Sequence, residues 1–281
     1  MEKVSTVEDI NNIKDNKILF ENLELKNTCI TFHGKNNVLY CENNVTLKNA
    51  KLNFCGDNSL VYLSNSSRAY IFKIDIYKNC VMYFGSENSF NEAYNRPFNA
   101  TLSEHQNIFI GDDNMFSFGI FLRNADAHLI YDCKSIRRIN NSKSIYIGDH
   151  VWIGQDCYIL KGTEIDSGSI VGASSVVSNK KIQHNSLWAG NPSRKIKEEV
   201  FWSRRCVHDW DDNITKNSEY YDTFLETYYP NEEIDEWIYE LDNTCSISFK
   251  NIDNRLRELN NVDSKLDYLA SIKKSKNRFV H

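Results

Sequence analysis

Proline is scarce, long apolar runs are missing and no cysteines are closely paired, and each of these absences removes a class of protein. With three prolines in 281 residues, 41% apolar and 25% charged, the composition is that of a soluble globular chain, which excludes disorder over most of its length. The longest apolar stretch, around Phe116–Leu122, falls far short of the ~20 residues that a membrane-spanning helix needs. Met1–Phe20 is polar and charged and has no apolar segment followed by a small-residue cleavage site, so no signal peptide is expected. The eight cysteines (Cys29, Cys41, Cys55, Cys80, Cys133, Cys157, Cys206 and Cys245) never show the two-residue gap of a zinc or redox site. Reduced thiols in a cytoplasmic protein are the expectation. A net charge of −5 offers no excess positive charge to a nucleic acid, and the basic run Lys273, Lys274, Lys276, Arg278 is expected to be a solvated terminus. A chain this long can bury one sizeable core, alone or with a smaller module.

What is present is a repeat. From Ile147 the chain reads in sixes: Ile147-Gly-Asp-His-Val-Trp, Ile153-Gly-Gln-Asp-Cys-Tyr, Ile159-Leu-Lys-Gly-Thr-Glu, Ile165-Asp-Ser-Gly-Ser-Ile, Val171-Gly-Ala-Ser-Ser-Val and Val177-Ser-Asn-Lys-Lys-Ile. Every first position is aliphatic and β-branched. The fifth is small or β-branched at Val151, Cys157, Thr163, Ser169 and Ser175, until Lys181 breaks the rule. A period of six is neither helical nor that of a flat strand. It fits a chain that turns a corner after each short strand, so that three hexads close a triangular coil and first-position side chains pile into an internal column.

Two more hexads, Ile110-Gly-Asp-Asp-Asn-Met and Phe116-Ser-Phe-Gly-Ile-Phe, precede the repeat, but Ile110 and Ile147 are out of phase. A loop therefore has to leave the coil between Leu122 and Ile147. Short aliphatic and aromatic runs between Val38 and Phe84 alternate with asparagine, which tolerates the left-handed backbone of a corner. After Ser193 the period becomes helical: Ile234, Trp237, Ile238 and Leu241 follow Asn231 as an N-cap, and Ile252, Leu256, Leu259, Leu266, Leu269 and Ile272 form a second stripe. These helices are expected to pack on the coil or on a neighbouring subunit. The expected organisation is a β-helix domain over 1–198, with irregular coils 20–122, a loop 123–146 and regular coils 147–182, followed by a helical extension over 199–281.

Ile147–Lys195 resembles the terminal coils of the hexapeptide-repeat acyltransferase superfamily. Arg123-Asn-Ala-Asp-Ala-His128 together with Gly148-Asp-His-Val-Trp-Ile-Gly154 resembles the bacterial capsular polysaccharide O-acetyltransferases, and Trp188-Ala-Gly-Asn-Pro-Ser-Arg-Lys195 resembles the superfamily's closing segment. The resemblance implies a mainly β fold, a left-handed parallel β-helix with a protruding loop and a C-terminal helical module. It also implies acetyl-CoA as donor, no metal, and a homotrimer with active sites between subunits. Ser193 departs from the family's usual alanine, and Lys161 stands where many members have proline.

Moving an acetyl group from a thioester to an alcohol requires a base for the hydroxyl proton, and imidazole suits cellular pH. By the resemblance, His128 is that base, with Trp152 lining the site at the family's separation. Asp126 is a candidate to orient the imidazole. The N–H of Gln155 is expected near the thioester oxygen and that of Ala173 on the pantetheine arm, with Gly172 and Ala173 leaving room beside the backbone. Arg194 and Lys197, with Lys180 as a further candidate, are expected near the CoA phosphates. His150 is expected to be a corner residue. The expected reaction is O-acetylation of a capsule or lipopolysaccharide glycan. Alternatives are N-acetylation of a nucleotide sugar and a non-catalytic binding solenoid. A zinc-dependent γ-type carbonic anhydrase is disfavoured because no His-x4-His pair occurs.

Overall fold

The computed structural model describes residues 1–230 and 246–280. Nearly all of its strands belong to three sheets that run along one solenoid. The first and second sheets each hold eight strands and the third holds six. From Phe72 onward each turn contributes one strand to each sheet, while the earlier strands Leu23–Lys26 and Val45–Lys48 pair separately, and solenoid strands pair in parallel with their counterparts one turn away. The hexads explain this directly. First-position Ile147, Ile153, Ile159, Ile165, Val171 and Val177 are all fully buried, and so are the fifth-position Val151, Cys157, Thr163, Ser169 and Ser175. Each buried aliphatic side chain contributes about 1.5–3 kcal/mol. The small fifth residue closes the corner, with Thr163 and Ser169 donating their hydroxyls to backbone carbonyls at 3.2 and 2.7 Å.

Turns within the repeat advance eighteen residues, as Tyr158 pairs with Val176. Where Lys181 breaks the pattern the step shortens, and Ile165 pairs with Ile182, seventeen residues on. Upstream turns are wider. Lys51 pairs with Lys73, twenty-two residues on, and asparagine occupies their corners: Asn27, Asn36, Asn44, Asn49, Asn58 and Asn79 have φ between 48° and 58°. Ile110 and Ile147, out of phase in the sequence, lie directly one above the other, because the chain between Arg123 and Ile145 leaves the coil and returns to the same edge.

Among the described residues after 199 there are four helices: α1 (Asp212–Asn217), α2 (Tyr221–Tyr228), α3 (Phe249–Glu258) and α4 (Val262–Ala270). The second expected stripe is thus two helices. The chain breaks at Leu259, and Asn261 caps α4 by accepting from the Ser264 N–H at 2.7 Å. The stripe around Trp237 lies outside the described residues. Both α3 and α4 cover the outer face of the second sheet, where Tyr62, Tyr83, Phe109 and Tyr146 form an aromatic column against Phe249, Ile252, Leu256, Leu269 and Phe279.

Lys273, Lys274 and Lys276 are exposed as expected of a solvated terminus, but Arg278 is not. Arg278 is fully buried, its guanidinium 2.7 Å from Asp112 Oδ2 and 2.8 Å from Asp149 Oδ1, while Lys274 is 2.5 Å from Glu42. Two carboxylates of successive turns supply the charge that a buried arginine requires. The strand Arg194–Lys197 runs antiparallel to Leu187–Ala189 and ends the third sheet with exposed side chains.

Candidate active site

Successive strands of the first and second sheets meet at one edge of the triangular coil, and the loop carrying His128 rises from it. Asn124, fully buried at its base, accepts from the Ser103 N–H at 2.8 Å. Asn140 organises the interior: its Nδ2 donates to the His128 carbonyl at 2.8 Å and to Asp126 Oδ2 at 2.9 Å, and its Oδ1 accepts from the Ile130 N–H at 3.0 Å. Lys161, from the following turn, donates to Asp126 Oδ2 at 2.6 Å and to the Asn140 carbonyl at 3.0 Å. From the preceding turn Glu104 accepts both Arg138 guanidinium nitrogens at 2.8 Å and the Ser142 hydroxyl. The Arg138 guanidinium, with Ser142, holds the Glu104 carboxyl down at about 2. Lys161 likewise lowers Asp126.

The backbone of His128 is therefore fixed while its ring is exposed, and among the described residues no hydrogen bond reaches that ring. Asp126 is committed to Lys161 and Asn140 and makes no bond to the imidazole. Sequence reasoning passed over Asn140, Glu104 and Arg138. The one signal was Lys161, noted only as a departure from proline, which proves to tie down the loop.

Trp152 lies on the third sheet between Met115 and Ile170, about one-third exposed at 36%, with the Trp202 ring 6.0 Å away. Trp202 in turn stacks on His150 at 4.1 Å. His150 has the left-handed φ of 51° that a corner demands, is 2% exposed, and bonds Asp113 Oδ2 at 2.8 Å and the Trp202 carbonyl at 3.1 Å. Such burial keeps it from any substrate.

The corner after Trp152 carries Gln155, and the same corner one turn on carries Ala173. Both residues are exposed, and among the described residues neither backbone N–H has an acceptor. Their neighbours are different: the Gly154 N–H donates to the Val171 carbonyl and the Gly172 N–H to that of Trp188, each at 2.8 Å. The space beside Gly172 is not open. A Cβ there would come within 2.9 Å of the Ala189 Cβ, so the glycine serves the stacking of the next turn. Arg194 and Lys197 are exposed at the far end of the same third sheet, three strands from Trp152. Lys180, beside the strand Lys181–Ile182, stands on the His128 edge instead.

The expected site residues thus fall into two groups. Trp152, Gln155, Gly172, Ala173, Arg194 and Lys197 follow the third sheet and its next corner, whereas His128 and Lys180 stand at the edge opposite that sheet. Among the described residues no group of three or more His, Cys, Asp or Glu side chains could hold a metal ion, and no helix is long and apolar enough to cross a membrane.

Residues 144–179 match the family model described as bacterial transferase hexapeptide (six repeats). The polysialic acid O-acetyltransferase of Neisseria meningitidis is 32% identical over 108 residues, which cover 38% of this chain and 50% of that protein. That of Escherichia coli O1:K1 / APEC is 35% identical over 98 residues, covering 35% of this chain and 32% of the relative. The chain therefore matches half or less of the length of these curated relatives. In three dimensions the crystal structure of the polySia specific acetyltransferase NeuO aligns with a TM-score of 0.60 at 28% identity, covering 73% of this chain and 90% of that one. In repeat, sequence and fold the chain is similar to the hexapeptide-repeat polysialic acid O-acetyltransferases.

Proposed function

We propose that this hexapeptide-repeat solenoid is an acetyl-CoA-dependent O-acetyltransferase that modifies hydroxyls of a bacterial capsule or lipopolysaccharide glycan in the cytoplasm. The observation that carries this reading is the locked loop, whose hydrogen bonds immobilise the His128 backbone and leave the imidazole uncommitted. A base held this way loses little freedom when a hydroxyl docks, and it is free to take the proton as the oxygen attacks.

The other group of residues suits the donor. Gln155 and Ala173 present unpaired N–H groups on consecutive turns, about 4.8 Å apart by strand spacing. Gln155 would face the oxyanion of the tetrahedral intermediate and Ala173 a pantetheine amide carbonyl. Arg194 and Lys197, farther along the sheet, would meet the phosphates, and Trp152 would pack beside the reacting centre. Acetyl-CoA supplies the activated acyl group. His128 receives the acceptor's proton and returns it to the leaving thiolate.

Because His128 and Lys180 stand opposite the row from Trp152 to Lys197, a complete site needs two copies, with the loop of one facing the third sheet of the next. Closing that contact around an axis gives a homotrimer. Replacing the base should cost two to four orders of magnitude, so His128→Ala is expected to transfer acetyl ~10²–10⁴-fold more slowly with its assembly unchanged. Mixing His128→Ala chains with Trp152→Ala chains should restore part of the activity, since some interfaces then carry both intact residues. Near-normal turnover by His128→Ala, measured with labelled acetyl-CoA and a panel of bacterial polysaccharides, would overturn the mechanism.

A further inference from the structure

A cleft of about 800 Å3 lies apart from both groups of site residues. It runs along the edge that carries the His128 loop, but on the wider turns upstream. One wall is a ladder of corner residues, Asn36, Asn58, Asn79 and His105, one per turn, each with positive φ. The opposite wall is the junction of α3 and α4, from Leu256 to Lys265. Strand spacing puts the ladder's ends roughly 14 Å apart. The ladder finishes against the loop itself, because Glu104, the neighbour of His105, is the residue that holds Arg138.

The cleft's charges point to what it accepts. Four cations, Lys14, Lys17, Arg257 and Lys265, line it against two acids, Asp15 and Asp263. The acids are already used: Asp15 by Lys35 at 3.2 Å and Asp263 by Lys17 at 3.5 Å. Arg257 is held by Asp253 and Gln106 at 2.6 Å each. Lys14 and the half-buried Lys265 have no carboxylate partner among the described residues, and burial pushes the Lys265 ammonium below its usual range. At the floor, Asn107 is 3% exposed and its buried Oδ1 accepts no hydrogen bond. An unpaired ammonium and an unpaired carbonyl oxygen, with a row of amides between them, leave places for a carboxylate and for hydroxyl donors.

We infer that this cleft binds a segment of acidic glycan, a chain of carboxylate-bearing sugars laid along the asparagine ladder so that its continuation reaches the loop of His128. The inference rests on the acetyl-transfer reading for its purpose but not for its test. Lys265 and Lys14 hold carboxylates, the corner amides and Asn107 bond hydroxyls, and the polymer is retained between transfers.

The test is equilibrium binding of a fluorescent oligosialic acid to the intact chain, with a neutral dextran of matched length as control, in wild type, Lys265→Glu, Lys14→Glu and Lys265→Met. The wild type is expected to prefer the acidic oligomer, and Lys265→Glu to weaken it by at least about tenfold, as expected for losing a desolvated charge contact. Lys265→Met removes the charge while keeping an unbranched side chain and should weaken binding if Lys265→Glu fails to fold. Equal binding of oligosialate and dextran, or unchanged affinity in folded Lys265 and Lys14 variants, overturns the inference. With an active enzyme, the Lys265 variants should raise KM for the polymer and leave kcat unchanged. Oligosialate binding that depends on Lys265 in a protein that transfers no acetyl upholds the cleft while removing the proposed reaction.

Discussion

The turns before Phe121 and those after Ile145 share one coil, yet they are built differently. Downstream, eighteen residues per turn and small fifth-position side chains make a narrow coil that leaves Trp152 on the third sheet and the corner residues Gln155 and Ala173 exposed. Upstream, twenty-one to twenty-six residues per turn leave room for asparagine corners, and the second sheet's outer face is aromatic and covered by the chain's own helices. Among the described residues the narrow part leaves the backbone N–H groups of Gln155 and Ala173 without acceptors, while the wide part carries the helices and the cleft between them and the asparagine corners. Core packing makes the coil in both regions. The length of each turn and the fittings outside the coil differ.

The sharpest way to break this contrast is at the tail. Arg278→Met leaves Asp112 and Asp149 buried without their cation and should cost about 3–5 kcal/mol. Stepwise unfolding is expected, with α3 and α4 becoming protease-sensitive while the coils 147–182 persist. In the narrow region Ile159→Ala should cost about 2–5 kcal/mol by opening a cavity in the internal column, and this time the loss should appear in the coils themselves. Thermal unfolding with limited proteolysis separates the two outcomes.

A smaller effect comes from pH. Burial, and then the Asp149 carboxylate, raise Asp112 to about 6. A carboxyl raised in the folded state adds stability below its unfolded value near 3.8, and that contribution is lost as pH rises through 6. The protein should therefore be more stable at pH 5 than at pH 7.5 through this group, by a few degrees of Tm at most. Asp112→Asn is expected to flatten that difference. Smallest in stability is Lys161→Ala, an edge contact worth less than ~1 kcal/mol. It should leave Tm nearly unchanged and lower kcat, because the loop around His128 loses two of its ties.

How much of this was legible followed from the range of the interactions. The column Ile147 to Val177 repeats locally, so its burial could be read position by position, and the phase break between Ile110 and Ile147 announced the loop. Arg278 could not be read, because its burial depends on Asp112 and Asp149, which are distant in sequence and adjacent only after the coil winds. The loop's internal bonds were hidden for the same reason: Glu104, Asn140 and Lys161 come from three different turns. Gly172 was legible as a place without a side chain, but not that Ala189 would fill the space. That His128 and Trp152 stand on opposite sides of one chain follows from counting corners, which needs the register of every upstream turn.

The reversed strand Arg194–Lys197 has one more consequence. A parallel solenoid ends in a row of unused amides and carbonyls onto which another molecule could add, and repeated addition would draw fibres out of a concentrated solution. The final strand turns back and carries Arg194, Lys195 and Lys197 exposed, a charged edge of the kind that discourages strand addition. At the third sheet the solenoid therefore closes on a guarded edge.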